Sequence, residues 1–195
     1  MTEPSTTTAS TVTGSDTNTG AAPGTSNTPT LSQERRDLLE LLRTRRFFLR
    51  QTARELTDEQ ASTASTVSAL TVAGLIKHVT ATEATWARFI VEGPTAFPAF
   101  DEAAFAEHEK QFRMVDEETL AGLLRSYDEV AARTDALIAT VDLDSSHPLP
   151  KAPWFEPGAV RTARQSLMHI AAETAQHAGH ADIIREAIDG AKTMG

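Results

Sequence analysis

The chain has 195 residues, 40% hydrophobic and 23% charged, with a formal net charge of −9 at pH 7. This length and composition are ordinary for one soluble globular domain, and the negative charge disfavours nucleic acid or an anionic membrane surface as a partner. The sequence contains no cysteine, which excludes disulfides, cysteine-ligated zinc and a catalytic thiolate supplied by the protein itself.

Residues 1–30 form the first segment, and 15 of them are Ser or Thr. Such a composition buries too little apolar surface to offset the entropy of ordering, so we predict a disordered tail over residues 1–30. The start shows neither the basic nor the hydrophobic region of a signal peptide. No apolar run in the chain approaches the roughly 18 residues of a membrane span. We therefore expect a cytoplasmic protein without a membrane partner.

Two helices are predicted in the first half of the remaining chain. Leucines recur at helical spacing from about residue 32 to residue 56, with charges on the other faces, and they predict the first helix. Thr71 is a candidate N-cap for a second helix, and the pair Gly93 and Pro94 marks its end.

Two more helices are predicted in the second half. The third runs from about Asp116 to Val141, and the last begins after Gly158 and stops near Gly190. No segment alternates with the period of a strand. We therefore predict an all-α fold, an antiparallel four-helix bundle over residues 31–190, followed by a C-terminal tail at 191–195.

The linkers at 94–115 and 142–158 are longer than most bundle connections, which makes them candidates for the walls of a site. They hold a group of aromatic side chains that either line such a site or cap the core. The group comprises Phe97, Phe100, Phe105, Phe112, Trp154 and Phe155.

Four polar side chains lie along one narrow stripe of the last helix. Taking His169 as zero and 100° per residue, Glu173 lies at roughly 40°, His177 at roughly 80° and His180 at roughly 20°. Apolar residues continue the stripe on both sides, so we predict that the polar cluster points into the bundle. A buried carboxylate among imidazoles is costly unless its charge and hydrogen bonds are satisfied, and a divalent cation satisfies both.

The spacing favours one set of three metal ligands. Glu173 and His177 are four residues apart, so both can reach one ion. His78 is the one histidine of the predicted second helix and is the candidate third ligand. We predict that His169 and His180 support these ligands from the next turn. His108 and His147 lie in polar linkers, and we predict that they are solvated.

Each element also has a simpler interpretation. A single histidine beside an apolar face is most often a hydrogen-bonded core residue, and a glutamate four residues before a histidine is commonly a surface pair. The joint orientation of the four polar groups is what favours a metal site. Mixed His and Glu ligands suit zinc, nickel, iron or manganese, and zinc is the default.

The segments LTVAGLIKHVTATEATW and HIAAETAQHAGHADIIREAIDG resemble the DinB-like superfamily, which includes mycothiol-dependent maleylpyruvate isomerases and bacterial thiol S-transferases. The resemblance spans about residues 32–190 and is greatest for an actinobacterial subgroup. It implies a four-helix bundle with a divalent metal held by His78, Glu173 and His177, and a homodimer. Many relatives have histidine at the position of Glu173. This chain has glutamate there instead, as the isomerase branch does.

Two functional classes follow from this resemblance. In the first, the protein is a metal-dependent S-transferase that conjugates a low-molecular-weight thiol, above all mycothiol, to a small electrophile. The absence of cysteine suits this class, because the thiol substrate supplies the sulfur. In the second, the protein is a non-catalytic, stress-associated metal-binding protein. The fold permits both, since function belongs to the site.

Overall fold

The computed structural model describes residues 31–98, 101–115 and 117–193. The predicted tail at 1–30 and the predicted helix start at Asp116 lie outside these residues, as does Phe100, and the side chain of Phe105 is likewise not described. The described residues are mostly helical, as predicted.

Four helices of 20 residues or more dominate the described chain. They are α1 (Gln33–Thr52), α3 (Val72–Glu92), α5 (Leu120–Thr140) and α6 (Ala163–Asp189). Two shorter helices, α2 (Asp58–Ala61) and α4 (Glu102–Lys110), lie in the connections, and a 3-10 turn over Gly93–Ala96 follows α3.

The helix ends follow local sequence signals. Thr71 caps α3 by accepting a hydrogen bond from the backbone N–H of Gly74. Thr162 and Gln165 form a reciprocal capping box at the start of α6. Gly190 ends α6 in the left-handed region with φ 80°, a conformation that glycine adopts without steric cost, so its predicted role as a helix stop is confirmed.

One small sheet was not predicted. Strands β1 (Ser146–Pro148) and β2 (Val160–Thr162) pair antiparallel within the connection between α5 and α6, with His147 opposite Arg161. Three residues are too few for a recognisable alternation of polar and apolar side chains, which explains the omission. The all-α prediction is therefore correct for the long elements and wrong for this hairpin.

The core lies where the long helices meet. Helix α6 packs against α1 and α3, and α3 also packs against α5. One cluster of buried side chains surrounds Leu75 and Tyr127, and a second surrounds Phe89 and Leu167. Among the described residues, every helix is too short or too polar to cross a lipid bilayer. This packing sets α3 and α6, the two helices with candidate ligands, side by side.

Candidate metal centre

His78 lies on α3 with its side chain almost fully buried, at 7% exposure. Its ring stacks on Phe112, with centroids 4.1 Å apart, and meets His177 edge-on at 4.9 Å. Burial lowers the pKa of His78 to about 4, and the neighbouring His177 and His108 act in the same direction. The ring is therefore neutral near pH 7 and carries a free lone pair, as a metal ligand requires.

One ring nitrogen of His78 has an unmet hydrogen-bonding capacity. Within the described part of the chain, Nδ1 is buried and has no hydrogen-bond partner, whereas Nε2 lies 3.5 Å from Oγ1 of Thr82. Buried polar atoms without partners are uncommon in native proteins, and each calls for an explanation such as a missing ion.

Glu173 and His177 face this ring from α6. Oε2 of Glu173 lies 3.6 Å from Nε2 of His177, and Oε1 lies 3.8 Å from Nε2 of His169. The pKa of the Glu173 carboxyl lies below its usual value, chiefly because of His177 and also because of His169 and His78. Burial acts in the opposite direction and does not outweigh them. Glu173 is therefore an anion surrounded by imidazoles.

The three predicted ligands converge. One candidate ligand atom from each of His78, Glu173 and His177 lies within 4.8 Å of the other two. Tetrahedral ligands at zinc distances lie roughly 3.4 Å from one another, so small side-chain rotations would bring all three onto one ion. Two imidazoles and a carboxylate form a donor set that suits a divalent cation. The residues present can therefore hold such an ion.

The stripe of α6 is only partly buried. The side chains of His169 and Glu173 are about one-third exposed, at 31% and 28%, and that of His177 is 12% exposed. The prediction that the polar cluster points inward therefore holds best for His177. His180 and His169 lie next to the candidate ligands: Nδ1 of His180 is 3.4 Å from Nδ1 of His177, and His169 is paired with Glu173 as above. A contact at the ring nitrogen remote from Glu173 can fix the orientation of the His177 ring.

A cavity of about 540 Å³ opens beside the candidate ligands, in the size range of small-molecule sites. Helix α3 contributes five residues to its lining, His78 and Trp86 among them, α6 contributes His169 and Glu173, and the two long linkers contribute the rest. Phe97, Trp154 and Phe155 are among the linker residues, so these three predicted wall aromatics do line a site. Phe112 instead covers His78.

The predicted solvent exposure of His108 and His147 agrees with the structure for His108 and not for His147. His108 is exposed but lies on α4 at the cavity, with its ring 5.6 Å from that of His78. His147 is half-buried, with its ring 5.8 Å from that of Phe89. Both are placed by short elements, α4 and β1, that carry no usable periodicity in the sequence.

Arg161 on β2 is a further residue that sequence reasoning missed. Its guanidinium lies over the ring of Trp86, 4.5 Å from the centroid, and its charge lowers the pKa of His169 in addition to the larger effect of burial. The register of β1 and β2 brings it there, and no motif in the sequence marks it.

Comparisons with known proteins give a family and a shared fold. A family model described as mycothiol-S-transferase matches residues 37–190. A crystal structure of a conserved protein from Enterococcus faecalis matches with a TM-score of 0.57 at 14% identity, over 80% of this chain and 97% of that one. At such low identity the match shows a shared fold alone. No curated protein matches the chain.

Proposed function

Because the chain belongs to the mycothiol-S-transferase family of the DinB-like superfamily, we propose that it conjugates a low-molecular-weight thiol, through its sulfur, to a small electrophile. Mycothiol is the thiol we propose, and the reaction depends on a divalent metal ion, with zinc as the first ion to test. The cytoplasm is the proposed location, because small thiols are kept reduced there.

His78, Glu173 and His177 would hold the ion. Three protein ligands are typical of catalytic rather than structural zinc sites, because they leave a position for a substrate. A divalent ion held by these residues would lower the pKa of a coordinating thiol and would so favour its thiolate at neutral pH. The observation that carries the proposal is the convergence of these three residues beside a cavity large enough for a substrate.

The other residues of the site would orient its parts. His169 and His180 hold the Glu173 carboxylate and the His177 ring in place through their contacts. Phe112 stacks on His78 and keeps water from that ring. Because the chain contains no cysteine, no protein thiol competes with the thiol substrate. In the reaction, the thiol loses its proton and its sulfur forms a bond to the electrophilic carbon. That carbon gives up a π electron pair or a leaving group, which takes a proton in exchange for the one lost by the thiol.

The arrangement of the chain is also part of the proposal. We propose that α1, α3, α5 and α6 form the antiparallel four-helix bundle of the DinB-like superfamily, which the packing of α6 on α1 and α3 supports. We further propose a homodimer on the basis of the family. Sedimentation of the metal-loaded protein tests the dimer, and a monomer at micromolar concentration would contradict it.

A conjugation assay tests the proposed activity. Mycothiol, glutathione and bacillithiol are each incubated with a chromogenic electrophile and the protein, with and without a chelator, while elemental analysis gives the metal content. We expect a rate above the uncatalysed reaction that is greatest with mycothiol and is lost on chelation. His177→Ala should remove both metal and activity, whereas His147→Ala, a control outside the ligand set, should retain both.

The opposite result points to the other functional class. A protein that holds one equivalent of metal but accelerates the reaction of none of the three thiols, across several electrophiles, would be a non-catalytic metal-binding protein. A protein that holds no metal after incubation with zinc, nickel, iron or manganese would contradict both classes.

A further inference from the structure

The cavity beside the candidate ligands has two chemically different ends. On α3 it is lined by residues from His78 to Trp86, eight positions apart, which corresponds to about 12 Å along the helix. Helix α6 contributes Glu173 near His78 and His169 near Trp86, with the His169 and Trp86 rings 4.7 Å apart. The ion-binding residues therefore lie at one end of the cavity, and Trp86 lies at the other.

The end around Trp86 is aromatic. Phe97 and Phe155, one from each long linker, meet the Trp86 ring edge-on at 5.0 Å and 6.5 Å. Trp154 extends the cluster through its contact with Phe155 at 6.1 Å, and it lines the cavity although it is 58% exposed. We call these four residues, Trp86, Phe97, Trp154 and Phe155, the aromatic cluster.

The polar side chains of the cavity lie mostly at the other end. Thr82 and His108 are next to His78. The aromatic cluster has Thr85 and His169 as polar neighbours in the lining, and the Arg161 guanidinium lies over its Trp86 ring. A polyhydroxylated thiol such as mycothiol brings many hydroxyl groups, and each hydroxyl buried without a partner is unfavourable. The aromatic cluster therefore offers the polyol part of that thiol fewer hydrogen-bond partners than the end around His78 does.

We propose that the aromatic cluster binds the body of the electrophile and selects flat, apolar acceptors, with Trp154 and Phe155 as specificity-determining residues. The proposal rests on the proposed function, since the reactive carbon must lie near the candidate ligands while the body extends toward Trp86. Flat apolar groups fit this end because aromatic side chains favour stacked and edge-on contacts with other rings. The polyol of the thiol then remains on the solvent side.

Two vinyl sulfones with the same reactive group test the proposal: phenyl vinyl sulfone and methyl vinyl sulfone. In both, the thiolate sulfur bonds to the terminal vinyl carbon, the π electron pair shifts to the carbon beside the sulfone, and that carbon takes a proton from water. This proton replaces the one lost by the thiol, so the addition needs no other reactant. The quantity measured is the ratio of kcat/KM for the phenyl compound to that for the methyl compound, corrected for the uncatalysed rates.

We expect a ratio well above one, carried by KM rather than by kcat. Trp154→Ala or Phe155→Ala should each lower the ratio about two- to tenfold, the usual worth of one aromatic contact. Phe47→Ala is the matched control, because Phe47 is 54% exposed and does not line the cavity. It should leave the ratio unchanged. A ratio of one in the unaltered protein would overturn the proposal. So would a ratio in the Trp154→Ala and Phe155→Ala variants equal to that of the unaltered protein.

A binding measurement separates this inference from the proposed function. Ethyl phenyl sulfone and ethyl methyl sulfone are the saturated, unreactive analogues, and NMR titration gives their affinities for the zinc-loaded protein. If no thiol is conjugated but the phenyl compound binds more tightly, and Trp154→Ala removes the difference, the proposed function fails and the aromatic site stands. Equal affinities of the two compounds would contradict the proposed aromatic site, whatever the conjugation assay shows.

Discussion

At the scale of single residues, Gly74 shows how closely the segment around Phe112, which covers His78, packs against α3. A Cβ atom at this position would lie 1.9 Å from the backbone oxygen of Phe112, the residue whose ring stacks on His78. No side-chain rotation can relieve a clash with backbone, so an added methyl group must push the Phe112 segment away.

Gly74→Ala should therefore destabilise the protein by about 1–3 kcal/mol, the usual cost of overpacking, and should also weaken metal binding. Gly179→Ala is the matched control, since Gly179 is an exposed helical glycine whose Cβ would meet nothing within 4 Å. It should stabilise the protein by about 0.5–1 kcal/mol. Urea denaturation measures the change in the free energy of unfolding of each variant. A change in the same direction in both would contradict the close packing of the Phe112 segment on Gly74.

His180 is the second residue whose role can be tested by itself. Because its Nδ1 lies 3.4 Å from Nδ1 of His177, His180→Ala should weaken metal binding about 10–100-fold without abolishing it, as losses next to metal ligands do. Competition with a chromogenic chelator gives the affinity. A complete loss of metal in this variant would make His180 a ligand rather than a supporting residue.

Sequence reasoning found the candidate ligands because their signal is local or rare. Glu173 and His177 are joined by helical spacing, and His78 is the one histidine of its helix. His108 was missed because its position depends on how a linker folds back over α3, which no periodicity records. The sequence likewise does not show which charged side chains are buried, because composition does not tell which of many arginines is enclosed.

At the scale of helices, one such buried charge joins three elements. Arg46 on α1 donates two hydrogen bonds to the carboxylate of Glu83 on α3, and a third, of 2.7 Å, to Asp135 on α5. The Glu83 side chain is completely buried, and Arg46 is 5% exposed. The pair thus stabilises the packing of α1 on α3 only while both partners are present.

Glu83→Leu should destabilise the protein by about 3–5 kcal/mol, because it leaves the Arg46 charge buried and without its main partner. The double variant with Arg46→Met should regain most of this loss, since it removes both charges. Arg43→Ala serves as the control: Arg43 also contacts Asp135, at 3.5 Å, but its side chain is 60% exposed, and it should change stability by less than about 1 kcal/mol. No recovery in the double variant would argue against charge burial as the cause.

The predicted helices agree with the observed ones to within a few residues at most ends. Helix α3 runs from its predicted cap at Thr71 to its predicted stop at Gly93. The predicted third helix begins several residues too early compared with α5, whose observed cap is Thr119. The short helices α2 and α4 and the strands were absent from the prediction, because fewer than about ten residues give too few repeats of a pattern.

At the scale of the whole molecule, the candidate ligands lie on two helices that are far apart in the chain, so an ion bound by all three would link these helices. Because the ion would bind only the folded protein, free zinc at a hundredfold excess over Kd should raise the free energy of unfolding by about 2.7 kcal/mol. Thermal denaturation with and without a chelator measures the shift. His177→Ala should show almost none, and an equal shift in that variant would mean that zinc binds elsewhere.

The N-terminal segment gives a second prediction at this scale. Residues 1–30 are half Ser and Thr and offer little to pack. A protein that begins at Thr30 should therefore melt within error of the full chain. A substantial fall in Tm on removal of the segment would show that it docks on the domain.

The cavity draws its two kinds of lining from different parts of the chain. The candidate ion-binding residues lie on the paired helices α3 and α6, while Phe97, Trp154 and Phe155 lie on linkers. Linkers accept substitutions more readily than packed helices do. Under the proposed function, the range of acceptors would diverge among descendants of such a protein while the reactive centre is inherited intact. Under that proposal, libraries for directed evolution would start with these linker positions.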